Sequence, residues 1–203
     1  MEHTTNSITI RGSLLELPQF SHENHGRQFF RFTLEVPRLS GAVDLLPVIA
    51  QDRVLAQIDP TAGAMLTVCG QIRSHNQRTA GSRRLLIFVF ASSITAEDGE
   101  PVNDVVIEGP LCREPIFRRT PLGREICDAM LAVPRAFQRA DYIPCILWGR
   151  TAQEVSACHT RDCIRIFGRL QSRIYTKLTE DGPQERTAYE LSALSAEILQ
   201  EQV

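Results

Sequence analysis

The chain of 203 residues repeats itself, and that repeat constrains the fold more than any other feature. A shift of 97 residues carries Ile10, Gly12, Leu14, Pro18, Gly26 and Arg27 onto Ile107, Gly109, Leu111, Pro115, Gly123 and Arg124. The same shift carries Leu34, Val36, Pro37, Arg38, Asp44, Pro47, Ile49 and Arg53 onto Leu131, Val133, Pro134, Arg135, Asp141, Pro144, Ile146 and Arg150. One inserted residue later, Gly70, Ser74 and Gln77 fall on Gly168, Ser172 and Tyr175. A period of this length is too long for a solenoid and indicates a duplicated domain. The seam AEDGEPVND at 96–104 is polar and carries Gly and Pro. The expected organisation is one domain over 1–98, a linker over 99–103 and a second domain over 104–203. At 43% hydrophobic residues, each half has the material for its own core.

The pattern inside each repeat is that of strands. In the second, 104–112, 125–134 and 141–149 are rich in alternating or β-branched residues and read as strands. TAQEVSAC, 151–158, is the one plausible short helix, with Thr151 as its cap. CIRIFGRLQSRIYTK, 163–177, reads as a long strand bent or bulged near Gly168. A polar loop, LTEDGPQE, leads into a last strand, TAYELSALSAEIL. The expected fold class is all-β: two tandem OB-fold barrels, five-stranded Greek keys, each with one short helix. A sandwich is the alternative, and the helix after the third strand favours the barrel.

Several function classes are disfavoured. No apolar run reaches the length of a membrane-spanning helix, so no membrane association is expected. MEHTTNSITI lacks the basic and apolar segments of a signal peptide. Six cysteines without a C-x-x-C pair fit free core thiols in a reduced bacterial cytosol. Cys158, His159 and Cys163 offer three candidate ligands where structural zinc takes four, so neither metal nor cofactor is expected. The five histidines join no nucleophile motif and no phosphate loop occurs, so an enzyme is not expected. The net charge of −2 hides a surplus in 104–177, where 12 basic residues face 8 acidic ones. Lys177 is the sole lysine. Arginine bonds phosphate with a planar fork and stacks on rings, although a biased genome would also favour it.

Alternate strand residues share a face. On 141–149, Ile143, Cys145 and Leu147 form an inner set; Tyr142, Pro144, Ile146 and Trp148 form an outer one. On 163–177 the inner set is Ile164, Ile166, Gly168, Leu170, Ser172 and Ile174, and the outer row is Arg165, Phe167, Arg169, Gln171, Arg173 and Tyr175. Arginines interleaved with rings make the working surface of proteins that bind single strands, where bases stack and phosphates are neutralised. The matching row of the first repeat is Thr67, Cys69, Gln71, Arg73, His75 and Gln77, which holds no ring like Phe, Tyr or Trp.

In VIEGPLCREPIFRRTPLGRE, LAVPRAF, DYIPCILWGR and IRIFGRLQSRIY the second repeat resembles the bacterial single-stranded DNA-binding protein family over about 95 residues. The resemblance implies base stacking at four places, occupied here by Phe137, Tyr142, Trp148 and Tyr175. In the first repeat those places hold Ser40, Leu45, Gln51 and Gln77, so only the frame is similar. The expected partner is single-stranded DNA, bound through the four rings and Phe167, with Arg135, Arg150, Arg165, Arg169, Arg173 and Lys177 on phosphates. The first domain is expected to be mainly structural, with weak phosphate contacts through Arg27, Arg38, Arg73 and the Arg83–Arg84 pair. Because usual members of that family are tetramers of one-domain chains, the resemblance implies for two domains per chain a homodimer that presents four OB domains. The family's acidic C-terminal tip is missing from AEILQEQV, so recruitment of repair enzymes through such a tail is not expected. An OB-fold adaptor for proteins and a single-stranded RNA binder are the alternative readings.

Overall fold

The computed structural model describes residues 6–79, 82–179 and 182–199. The first repeat forms β1 (Asn6–Leu14), β2 (Gln19–Asn24), β3 (Arg27–Pro37), β4 (Val43–Gln51), α1 (Asp52–Leu55), β5 (Met65–Thr79) and β6 (Ser82–Ala96). The second forms β7 (Val102–Pro110), β8 (Ile116–Arg119), β9 (Glu125–Arg135), β10 (Arg139–Trp148), α2 (Gly149–Ser156), β11 (Cys163–Thr179) and β12 (Gly182–Leu199).

Strict alternation drives the architecture. Along β1, and along β7 from Val105 onward, every second residue is buried, which gives each strand one inward face. β1 pairs with β3 and β5, β3 with β4, β4 in parallel with β6, and β6 with β5. That circuit closes a five-stranded Greek-key barrel over Ile10, Leu34, Val48, Leu66 and Val89, all buried. The second repeat closes the same way through β7, β11, β12, β10 and β9, with a Leu111–Leu131 bridge at the seam.

Three local features differ from expectation. A short extra strand, β2 or β8, flanks each barrel on β3 or β9. Helix α2 starts at Gly149, not at a Thr151 cap, and Trp148 precedes it without a side-chain cap bond. The expected polar loop is largely strand, because β11 and β12 pair up to Thr179–Gly182. The bulge lies where expected, between Phe167 and Gly168, and recurs between Cys69 and Gly70. A Cβ on Gly168 would sit 2.2 Å from the Ser192 carbonyl oxygen, and one on Gly70 2.2 Å from that of Phe90. Only glycine admits such an approach of two backbones.

The repeats are fused rather than strung. β1 pairs antiparallel with β7, from Asn6–Ile107 to Arg11–Val102, which merges both barrels into one 12-stranded sheet. The strand-free seam is therefore 97–101, since Val102 already belongs to β7. Two reciprocal clamps cross the boundary. Asp44, wholly buried, accepts bonds from Arg38 of its own repeat and from the Ser172 amide of the other, at 2.7 Å. Asp141, also wholly buried, accepts from Arg135 at 3.3 Å, from Arg73 at 3.2 Å and from the Ser74 amide at 2.7 Å. The serine hydroxyls complete the exchange: Leu45 N–H donates to Ser172 Oγ, and Tyr142 N–H donates to Ser74 Oγ. Each buried carboxylate thus meets a cation and an amide, which is what burial of charge demands.

Candidate nucleic-acid interface

The outer face of the second barrel is concave. A groove of about 830 Å³ lies across β8 to β12. Ile126, Ile146 and Trp148 form its apolar part, and Arg118, Arg124, Arg169 and Arg173 its cationic part. Arg38 reaches in from the first repeat. Alternation on β10 places Trp148 outward, and its partner positions explain why it stays accessible. Ile126 lies opposite on β9, and the small Ser192 on β12 accepts a bond from Trp148 Nε1 at 3.2 Å. The indole is tethered by one edge and remains 37% exposed.

The cations are prepared but not saturated. Arg118 is held by Asp128, whose hydrogen bond raises the guanidinium pKa. Arg173 lies 3.8 Å from Glu190 and over the Tyr175 ring at 5.7 Å. Arg169 Nε is buried without a partner, the lone such side-chain nitrogen or oxygen among the described residues. An orphaned charged donor in a groove is costly unless an acceptor arrives.

The structure does not bring the expected site residues together in one place. Trp148, Arg169 and Arg173 lie in the groove. Tyr175 and Lys177 line a second hollow at the boundary between repeats, with Arg84, Arg186 and Tyr189. Tyr142, 42% exposed, lines a third with Asn76 and Leu85 of the first repeat. Phe137 stands at the β9–β10 turn, 94% exposed, with φ of +61°. Arg150 projects from α2 and pairs with Glu154.

Other residues are engaged elsewhere. Arg135 belongs to the Asp141 clamp. Arg165 is held by Glu108 and Glu197, and Phe167 is partly buried opposite Val106; both lie on the half of β11 that pairs with β7. The interleaved row therefore divides at the Gly168 bulge, and from its later half Arg169, Gln171 and Arg173 face the groove. In the first repeat Arg38 serves the Asp44 clamp, Arg73 the Asp141 clamp, and Arg84 bonds the Thr187 carbonyl at 3.3 Å. Arg27 is exposed at the start of β3, and the Arg83 side chain lies outside the described residues. Arg118 and Arg124 were missed because β8 was; the segment FRRTPLGRE carried the signal in its clustered arginines. Burial raises the thiols of Cys127, to about 11, and of Cys145. Among the described residues no group of three or more His, Cys, Asp or Glu is arranged to hold a metal ion. No helix there is long and apolar enough to cross a membrane.

Comparison with known proteins bears on the family and the fold. The model of the single-strand binding protein family matches residues 102–199. Single-stranded DNA-binding protein B of Bacillus subtilis is 34% identical over 80 residues, covering 36% of this chain and 71% of that protein. Single-stranded DNA-binding protein 1 of Lactococcus lactis is 35% identical over 81 residues, which span 54% of its length. The crystal structure of the wild-type single-stranded DNA binding protein from Thermus aquaticus matches with a TM-score of 0.80 over 98% of this chain and 94% of that one. At 20% identity the likeness establishes a shared two-barrel fold.

Proposed function

Because the chain belongs to the single-strand binding protein family, we propose that it binds single-stranded DNA without sequence preference and shields it during replication, recombination or repair. The observation that carries this reading is the tethered, half-open Trp148 beside the unpartnered Arg169 in one groove. A ring accepts any base by stacking, and a guanidinium accepts any phosphate, so the pair recognises a strand and not a sequence. Duplex presents its phosphates but no free base faces, and it is excluded from the stacking contribution.

Trp148 and Arg169 hold one segment of the strand, with Arg118, Arg124 and Arg173 neutralising phosphates beside it. Tyr175 with Lys177, and Tyr142, take neighbouring bases at the boundary hollows. Phe137 closes over a base from its exposed turn. This role requires binding and release, with no bond made or broken. On this reading the protein works on DNA in the bacterial cytosol, and a homodimer would present four barrels.

The test is equilibrium binding of labelled oligo-dT, followed by anisotropy across a range of salt, with duplex of equal length beside it. The expected result is preference for the single strand and a linear fall of log affinity with log salt, the mark of counterion release. Equal affinity for duplex and single strand would refute the reading.

A further inference from the structure

The first barrel carries rings on the same outer face, at positions other than the four stacking places. Phe29 on β3 faces Gln51, as Ile126 faces Trp148 in the second barrel. Phe90 on β6 pairs with Gln71, as Ser192 pairs with Arg169. The bulky ring has thus moved from β10 in one barrel to β3 and β6 in the other. His22 stacks on Phe29 with centroids 4.8 Å apart and planes 8° from parallel, and Phe29 meets Phe90 at 6.0 Å. His22 is exposed and both phenylalanines are partly so.

Charge accompanies the rings. Arg73 lies over Phe90 at 5.8 Å. It shares Asp141 with Arg135, which comes from the other barrel. Two guanidiniums on one carboxylate leave a net positive charge at the rim of the ring face. Burial first, and the neighbouring Arg135 second, lower the pKa of Arg73, against the pull of Asp141. Arg38 occupies the reciprocal place at the groove of the second barrel. Each barrel therefore lends one arginine to the other's outer face.

We infer that the His22–Phe29–Phe90 face, with Arg73 and Arg135 at its rim, is a second stacking platform that takes a further stretch of the same single strand. Rings with an unbalanced cation fit a base and its phosphate, whereas a purely apolar partner would leave that charge uncompensated. The inference rests on the proposed function. It revises the expectation that the first barrel is mainly structural, and it gives Arg135 a place in binding on the barrel opposite to the one expected.

The double variant Phe29→Ile, Phe90→Ser places on this face the residue types that the second barrel already tolerates there. The exposed His22→Ala serves as a second variant with little risk to folding. Binding is measured with oligo-dT of roughly 10 nucleotides, within one barrel's reach, and of roughly 30, enough for both. For the wild type, a long strand that engages both faces should bind tighter than the short one by more than its added length explains. In the double variant that advantage should fall by about tenfold to a hundredfold, with short-strand binding unchanged. His22→Ala should lose about threefold to tenfold, again for the long strand only. Unchanged long-strand binding in both variants would overturn the inference, as would equal loss at both lengths. A changed oligomeric state with unchanged DNA binding would also overturn it, by assigning the face to a second copy. Failure of the wild type to bind either length would refute the proposed function itself.

Discussion

Asp141→Ala should be among the most damaging single substitutions in the chain, and the clamps show why. The Asp141 side chain is wholly buried and accepts from the Ser74 amide, from Arg73 and from Arg135. Its removal strands a backbone N–H and leaves two guanidiniums facing each other with no anion between them. Breaking a buried pair by deleting one partner costs about 3–5 kcal/mol. An independent route gives a similar figure: one orphaned amide costs about 1–3 kcal/mol, and a lost charged hydrogen bond contributes about 1.5–3 kcal/mol more. For a chain of this size the loss should lower Tm by about 6–20 °C. Because the clamp ties one barrel to the other, cooperativity should suffer as well. Urea unfolding can be followed by Trp148 fluorescence, which reports the second barrel, and by far-UV circular dichroism, which reports both. The two curves should coincide in the wild type and separate in Asp141→Ala with Asp44→Ala. A loss below about 1 kcal/mol with coincident curves would refute the reasoning, because it would mean that the carboxylate is solvated or dispensable.

The other predictions concern the bulge, the turn and pH. Gly168→Ala drives a Cβ to 2.2 Å from a backbone oxygen that cannot swing away, so it should cost about 2–3 kcal/mol or more in denaturant unfolding. Phe137→Gly relieves a left-handed φ of +61°; it should raise stability by about 1 kcal/mol, yet weaken oligo-dT binding in the same preparation. The carboxyls of Glu97, Glu114 and Glu125 are held below the ordinary 4.5 by hydrogen bonds, first from Thr67, the Thr160 amide and Gln153 respectively. A depressed folded pKa stabilises above the unfolded value and is lost as pH falls through the folded one. Thermal melts should therefore hold their contribution at pH 5 and above and lose it progressively below about 4.5; Glu125→Gln should flatten that fall.

The repeat, the barrels and the bulge at Gly168 were legible because period-two alternation and matched glycines are local signals. The clamps were legible in part. Arg38, Asp44 and Ser74 recur as Arg135, Asp141 and Ser172, and polar identities that survive between two diverged halves ask for a reason. Their partners could not be read, because the bonds run between residues up to 134 positions apart and depend on β1 pairing with β7. The division of the β11 row was hidden for a related reason: phase assigns a side chain to the outside of a barrel, and only the neighbouring strand decides what it meets there. Arg165 meets Glu108, while Arg169 meets a groove. The rings of the first barrel escaped a comparison restricted to four positions, since a face can keep its character while the ring moves to the adjacent strand.

The central claim is that bases stack on Trp148, and the indole itself reports on it. As the chain's one tryptophan, it gives fluorescence that arises from the groove alone. Titration with oligo-dT at low salt should quench that emission strongly and saturably, with reversal on adding salt and no quenching by duplex. Tight binding seen by anisotropy, with Trp148 emission unchanged throughout, would contradict the account and move the strand away from the groove.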